Sequence, residues 1–253
     1  MIYAVFLLFT FSILLFAFYQ WQFFTVFAPR YYRSSELLDE FEILSVTTED
    51  GVELEGVVHE PKNPHATLLF FAGKGNDCVG VIEKMAPFYP TIRLIAFNYR
   101  SYGRSGGRVN EKNMLDDSVM IAQVIQKNYG DFYILGFSLG SSVASFVASQ
   151  VSSKGVFLVG AFDSIPSLAK KKYRFVPSKL IKYSFETKKF VTQIDAKTYL
   201  FVSKDDQVTY IQNARELKKH IKNLVFYVEF DGLAHKELLW HVGVVDKING
   251  AMS

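Results

Sequence analysis

Apolar positions come first as one long block and then as short runs broken by glycine, proline and acidic residues. Ile2 to Tyr19 is almost wholly apolar, and no charged side chain stands before Arg30. A helix needs about 20 such residues to cross the hydrocarbon core, and Trp21 opens an aromatic stretch suited to a membrane interface. The block predicts a spanning anchor over residues 1–28, then a juxtamembrane linker over 29–40 and one folded domain over 41–253. A cleaved signal peptide is the competing account. It needs a basic start, a shorter apolar core and a small-x-small cleavage site, and the segment shows none of the three clearly.

Within the domain, "FEILSVTTEDGVELEGVVHEP" reads as two strands joined at Asp50-Gly51, with Pro61 closing the second. "ATLLFFAG" is a buried strand, followed by a helix from about Asp77 to Phe88. "IRLIAFNYR" is the next strand, and "SYGRSGGR" a glycine-rich loop. Leu115, Val119, Ala122 and Ile125 recur at helical spacing, and Gly130 ends that helix. The strand "FYILGF", the helix "LGSSVASFVASQV" and the strands "GVFLVGAF" and "TYLFVS" follow. The helix "IQNARELKKHI", the strand "LVFYVEF" and a helix beginning near Lys236 complete the chain. Strands alternating with helices after an antiparallel start predict an α/β fold, a mostly parallel central sheet with helices on both faces.

"GFSLG" stands where a buried strand meets a helix of small residues. Strand, sharp turn and helix form the setting of a nucleophile elbow, in which Ser138 is pushed out of the sheet edge and Gly136 and Gly140 avoid collisions. Ser138 then sits at a helix start, with the Leu139 amide free to donate. Active groups of such a sheet gather at the carboxyl ends of its strands. Asp205 and Asp206 follow "TYLFVSK", Asp163 follows "GVFLVGAF", and His235 follows "LVFYVEFDGLA". Of the five histidines, only His235 follows a strand and a Gly-x-Ala turn. His59 lies in an early strand, His65 beside Pro64, His220 on a lysine-rich helix and His241 inside the last helix, all packing or surface positions.

These pieces together resemble the α/β-hydrolases, most closely the N-terminally membrane-anchored group that includes acyl-protein thioesterases and lysophospholipid lipases. "TTEDGVELEG", "FFAGKGN", "FNYRSYGRSGG", "GFSLG", "DDQV" and "GLAH" carry the resemblance, over nearly all of residues 41–245. It implies the α/β-hydrolase fold with a short cap insertion, and a triad of Ser138, Asp205 and His235. Asp205 is favoured over Asp206 and Asp163 because the family's Asp-x-x-Val pattern matches Asp205 with Val208. The oxyanion hole combines the backbone amides of Leu139 and Lys74. Ala72 stands where the family has histidine, Asn98 where it has aspartate and Ser101 where it has glycine. The activity implied is cleavage of a carboxylic ester or thioester through an acyl-enzyme. A weakly catalytic binding or scaffold protein, with Ala72 as its one hint, is the alternative, and a peptidase or acyltransferase would share the same residues.

Charge adds two points. The chain has 28 Lys and Arg against 25 Asp and Glu, a formal net charge of +3. The excess gathers in "KKKYRFVPSKLIKYSFETKK", a cap-like basic segment spanning about 164–190, where aromatic residues interleave with the lysines. It reads either as a solvated lysine-rich helix or as a surface seated at anionic headgroups. Arg30 and Arg33 after the span favour a domain on the cytoplasmic side. The single cysteine, Cys78, excludes an intramolecular disulfide framework and reads as a buried small residue. Lys74 lies between glycines without phosphate-loop spacing, and no His, Cys or Glu cluster has metal spacing. The reading requires an acyl substrate and a membrane, and no cofactor, metal or nucleic acid.

Overall fold

The computed structural model describes residues 2–30, 40–173 and 175–253. Arg33, most of the expected linker and Arg174 of the basic segment lie outside the described residues. Helix α1 (Ile2–Val26) carries the apolar block. Ile2, Tyr3 and residues 5–17 face outward, Ile2 81% and Phe16 65% exposed, and Val5–Val26 is long and apolar enough to cross a membrane. Its end behaves otherwise. Phe23, Val26 and Phe27, inside the expected anchor, are buried in the domain's core, and the rings of Phe27 and Tyr183 meet edge-on at 4.7 Å.

Strands β1 (Phe41–Thr47) and β2 (Glu53–His59) form the expected hairpin. Gly51 at its turn has φ 79, a left-handed conformation that glycine adopts freely. Then come β3 (Ala66–Phe71), α2 (Cys78–Met85), β4 (Ile92–Phe97) and α3 (Glu111–Tyr129). Asp77 caps α2 by accepting the Val79 amide, and Asn110 and Asn113 cap each other's amides at the start of α3. β5 (Tyr133–Phe137) leads into α4 (Leu139–Gln150), and β6 (Gly155–Val159) follows. The cap insertion contains α5 (Ile165–Lys172) and the short α6 (Thr187–Phe190). β7 (Lys197–Ser203), α7 (Ile211–Lys218), β8 (Leu224–Phe230) and α8 (Val242–Met252) complete the chain.

Among the described residues the strands form one eight-stranded sheet in the order β1-β2-β4-β3-β5-β6-β7-β8. From β4 to β8 neighbouring strands are parallel, while β2 pairs antiparallel with both β1 and β4. Successive side chains of a strand point to opposite faces. Leu69, Phe71, Val156 and Leu158 accordingly enter the core beneath α3 and α4. Leu68, Phe70, Phe157 and Val159 enter the opposite core beneath α2 and α8. Helices thus cover both faces, which is why these strands read as continuous apolar runs.

Two sequence expectations are corrected. The last helix starts at Val242 rather than near Lys236, because residues 238–240 form a separate 3-10 turn. His241 consequently lies outside the helix and caps it, accepting the Gly243 amide at 3.2 Å. The basic segment is also not one helix. It is broken after Lys172, turns at Ser178–Leu180 and resumes helical structure only at Thr187.

Candidate active site

The turn between β5 and α4 places Ser138. Its backbone has φ 55 and ψ −121, a conformation costly for a residue with a Cβ. The surroundings hold it there: the Ser138 amide donates to the Val159 carbonyl at 2.9 Å. A Cβ on Gly136 would lie 2.4 Å from the Gly140 carbonyl oxygen, and one on Gly140 would lie 2.0 Å from that of Phe71. Only glycine lets α4 approach β3 and β5 so closely. The two glycines flanking the serine therefore serve the packing that aims its hydroxyl.

The loop after β8 carries His235. Its Nε2 lies 2.8 Å from Ser138 Oγ, its ring stacks on Phe137 with centroids 5.0 Å apart, and its side chain is only 10% exposed. Gly160, with φ +59, makes room for the ring, since a Cβ there would stand 3.1 Å from His235 Cε1. Ser203 on β7 ties this loop down, donating from its hydroxyl to the Leu233 carbonyl at 2.6 Å.

The carboxylate that meets His235 is Asp206, whose Oδ2 lies 2.6 Å from His235 Nδ1. Asp205, which the family pattern favours, is turned away and exposed, its Oδ2 accepting the Gly232 amide at 2.7 Å. The physical reason lies in the tight turn leaving β7, where adjacent side chains diverge and the carboxylate with buried donors faces inward. Asp206 Oδ1 accepts the Val208 and Thr209 amides at 2.7 and 2.9 Å, and Oδ2 accepts the Thr209 hydroxyl at 2.7 Å. Burial raises the Asp206 carboxyl, but the hydrogen bond and charge of His235 and the Thr209 donors outweigh it, holding the group below its ordinary range. An ionised Asp206 keeps the proton on Nδ1 and leaves Nε2 to accept from Ser138. Asp163, the third acid considered, is buried elsewhere, accepting from Asn213 Nδ2 at 2.7 Å.

Leu139 opens α4, so its amide is one of the first-turn donors without an acceptor inside the helix. The loop bearing Lys74 runs beside it; a Cβ on Gly73 would stand 3.2 Å from Ser138 Cβ. Ala72 leaves this loop well held. Tyr99 donates its hydroxyl to the Ala72 carbonyl at 3.1 Å, and Asn76 Nδ2 donates to Gly73 O at 3.1 Å. Asn98 accepts the Cys78 amide at 2.8 Å and donates to Asp77 and Glu55. Ser101 keeps a left-handed φ of 67 despite its side chain. Its hydroxyl donates to Gly107 O at 2.9 Å.

A cavity of about 130 Å³ lies over Ser138, walled by apolar and aromatic groups from α1, α5 and the start of α7, with Lys74 and Lys172 beside them. Burial pushes the Lys74 ammonium below its ordinary range, and the charge of Lys172 adds to this. Sequence reasoning missed α1 as part of this wall. The run of exposed apolar residues hides where the helix leaves solvent or lipid, and the Gln20 and Gln22 pair is the polar signal that could have marked it.

No family model matches the chain. It is 26% identical over 133 residues to the lysophosphatidylserine lipase ABHD12 of Danio rerio, a match covering 46% of this chain and 34% of that protein. Among solved structures, the esterase Pf2001 of Pyrococcus furiosus superposes with a TM-score of 0.68 at 18% identity, covering 88% of this chain and 96% of the other. The α/β hydrolase GrgF of a Penicillium species superposes with a TM-score of 0.69 at 12% identity, covering 84% and 97%.

Proposed function

We propose that this chain, which has the α/β-hydrolase fold, is a membrane-anchored serine hydrolase cleaving carboxylic ester or thioester bonds. The observation that carries the reading is the continuous line from Ser138 Oγ through His235 to the buried Asp206 carboxylate. His235 Nε2 takes the Ser138 proton as Oγ attacks the acyl carbon. The resulting oxyanion meets the amides of Leu139 and Lys74, while Asp206 holds the imidazolium in place. Collapse of the tetrahedral species expels the alkoxide or thiolate, which receives the proton from Nε2. Water, deprotonated by the same nitrogen, then releases the acid and restores Ser138. The scaffold alternative rested on Ala72, and the Tyr99 and Asn76 hydrogen bonds that hold its loop favour the enzyme instead.

Anchoring draws support from the outward-facing apolar part of α1 and from its buried end. Removing the helix as a signal sequence would strip Phe23, Val26 and Phe27 from the core. Lys182 lies over the ring of Tyr19 near the end of α1, so lysines of the basic segment join Arg30 at that end. This favours a domain on the cytoplasmic side.

The test is a series of p-nitrophenyl esters and one acyl thioester, run on the full chain in detergent. Turnover of either class that vanishes in Ser138→Ala is the expected result. Turnover unchanged in Ser138→Ala would exclude the mechanism.

A further inference from the structure

The cavity over Ser138 includes residues that a separable anchor would not supply. Thr25 and Val26, from the last turn of α1, face it together with Leu168, Tyr173 and Tyr210. That turn is fastened to the site on two sides. Lys74 Nζ donates to the Thr25 carbonyl at 2.8 Å, a helix C-terminal carbonyl without an intrahelical partner, where the dipole favours a cation. The Tyr102 hydroxyl donates to the Phe27 carbonyl, and the Gly103 amide donates to Arg30 O at 2.7 Å. On the cap side, Gln22 Nε2 donates to Leu180 O at 3.0 Å and Gln22 Oε1 accepts the Lys182 amide at 2.8 Å. Trp21 meets the Tyr173 ring edge-on at 5.0 Å. Gln22 is 3% exposed, and a buried amide satisfied by backbone partners 158 and 160 residues away fixes where the helix ends relative to the cap.

The cavity volume matters here. About 130 Å³ falls below the roughly 300–1,000 Å³ of ordinary ligand pockets. A long acyl chain seated with its carbonyl at Ser138 must therefore extend past the walls, and the wall formed by α1 continues into the exposed apolar face of the same helix. We infer that the last turn of α1 determines acyl specificity: the substrate's acyl chain lies against Thr25 and Val26, so the anchor helix is part of the active site. This rests on the serine hydrolase reading. It adds that the membrane helix selects among acyl chains as well as holding the enzyme at the membrane.

Thr25 is the residue to vary, because it is only half-buried and faces the cavity, whereas Val26 is in the core. The full chain in mixed micelles is assayed for kcat/KM on p-nitrophenyl acetate and p-nitrophenyl palmitate, with the palmitate-to-acetate ratio as the readout. Labelling of Ser138 by a small fluorophosphonate reports in parallel whether the site is assembled. Thr25→Trp, which fills the wall, is expected to lower the ratio by about tenfold or more, and Thr25→Ala, which recesses it, to raise the ratio. Where the tryptophan variant is not labelled, the alanine variant decides alone. An active, labelled wild type whose ratio stays the same in the labelled variants overturns the role of α1 and leaves the hydrolase reading standing. A wild type that is neither labelled nor active on either ester overturns the hydrolase reading, and this inference with it.

Discussion

Four donors converge on Asp206: the Val208 and Thr209 amides, the Thr209 hydroxyl and His235 Nδ1. Asp206→Asn replaces an acceptor with a group that cannot satisfy them all, and it leaves the imidazole poorly held. Turnover is expected to fall by several orders of magnitude, on the order of 10⁴, with Ser138 still present. Asp205→Asn removes a carboxylate that only tethers Gly232. A single such hydrogen bond contributes about 0.5–1.5 kcal/mol, so kcat/KM is expected to drop by no more than about tenfold. The same carboxyl predicts a pH effect. Because the folded protein holds Asp206 below the ordinary aspartate value of about 3.9, its contribution to stability is present above that pH and disappears as pH falls through the folded value. Urea midpoints at neutral and acid pH check this, with Asp206→Asn losing less on acidification than wild type. The serine and histidine were legible because glycine spacing and a strand-end position mark them. The acid was legible only to within one residue, because Asp205 and Asp206 share the loop and charge, and only the donors they meet tell them apart.

Helix α4 and the strands beneath it make contacts that glycine alone permits. A methyl at residue 140 would overlap the Phe71 carbonyl oxygen at 2.0 Å, so Gly140→Ala must displace α4 or β3. The expected outcome is a loss of about 1–3 kcal/mol or more in denaturant unfolding, together with slower fluorophosphonate labelling of Ser138. The end of α1 predicts a different effect. Phe27 is fully buried between Phe23, Tyr183 and Phe185, so Phe27→Ala is expected to cost about 3–5 kcal/mol, read as a lower midpoint in detergent. A chain beginning near residue 34 lacks this whole contact and should be less stable as well as more soluble. Most elements were legible from apolar periodicity, since buried parallel strands and amphipathic helices differ in period. The basic segment was not, because lysines and aromatics repeat there without a period, and contacts with α1 shape it instead.

At the scale of the whole molecule, a helix with an outward-facing apolar stretch joins a two-faced α/β domain whose cavity it helps to wall. Full-length protein is therefore expected to stay with membranes through carbonate and high-salt washes, because apolar burial does not respond to ionic strength. Release by salt alone would exclude spanning. The parallel sheet followed from strand and helix alternation, and the order of the candidate groups, serine, acid and histidine, from the strand ends they follow. The junction with α1 did not, because it is a long-range contact between segments far apart in sequence. Whether Ser138 is a nucleophile driven by His235 and Asp206 is decided by peptide mass spectrometry of the full chain after fluorophosphonate treatment. One phosphonylated residue, Ser138, is expected, with labelling abolished in Ser138→Ala and severely slowed in His235→Ala and Asp206→Asn. Adduct on another residue, or undiminished labelling of Ser138 in the His235 and Asp206 variants, would contradict it.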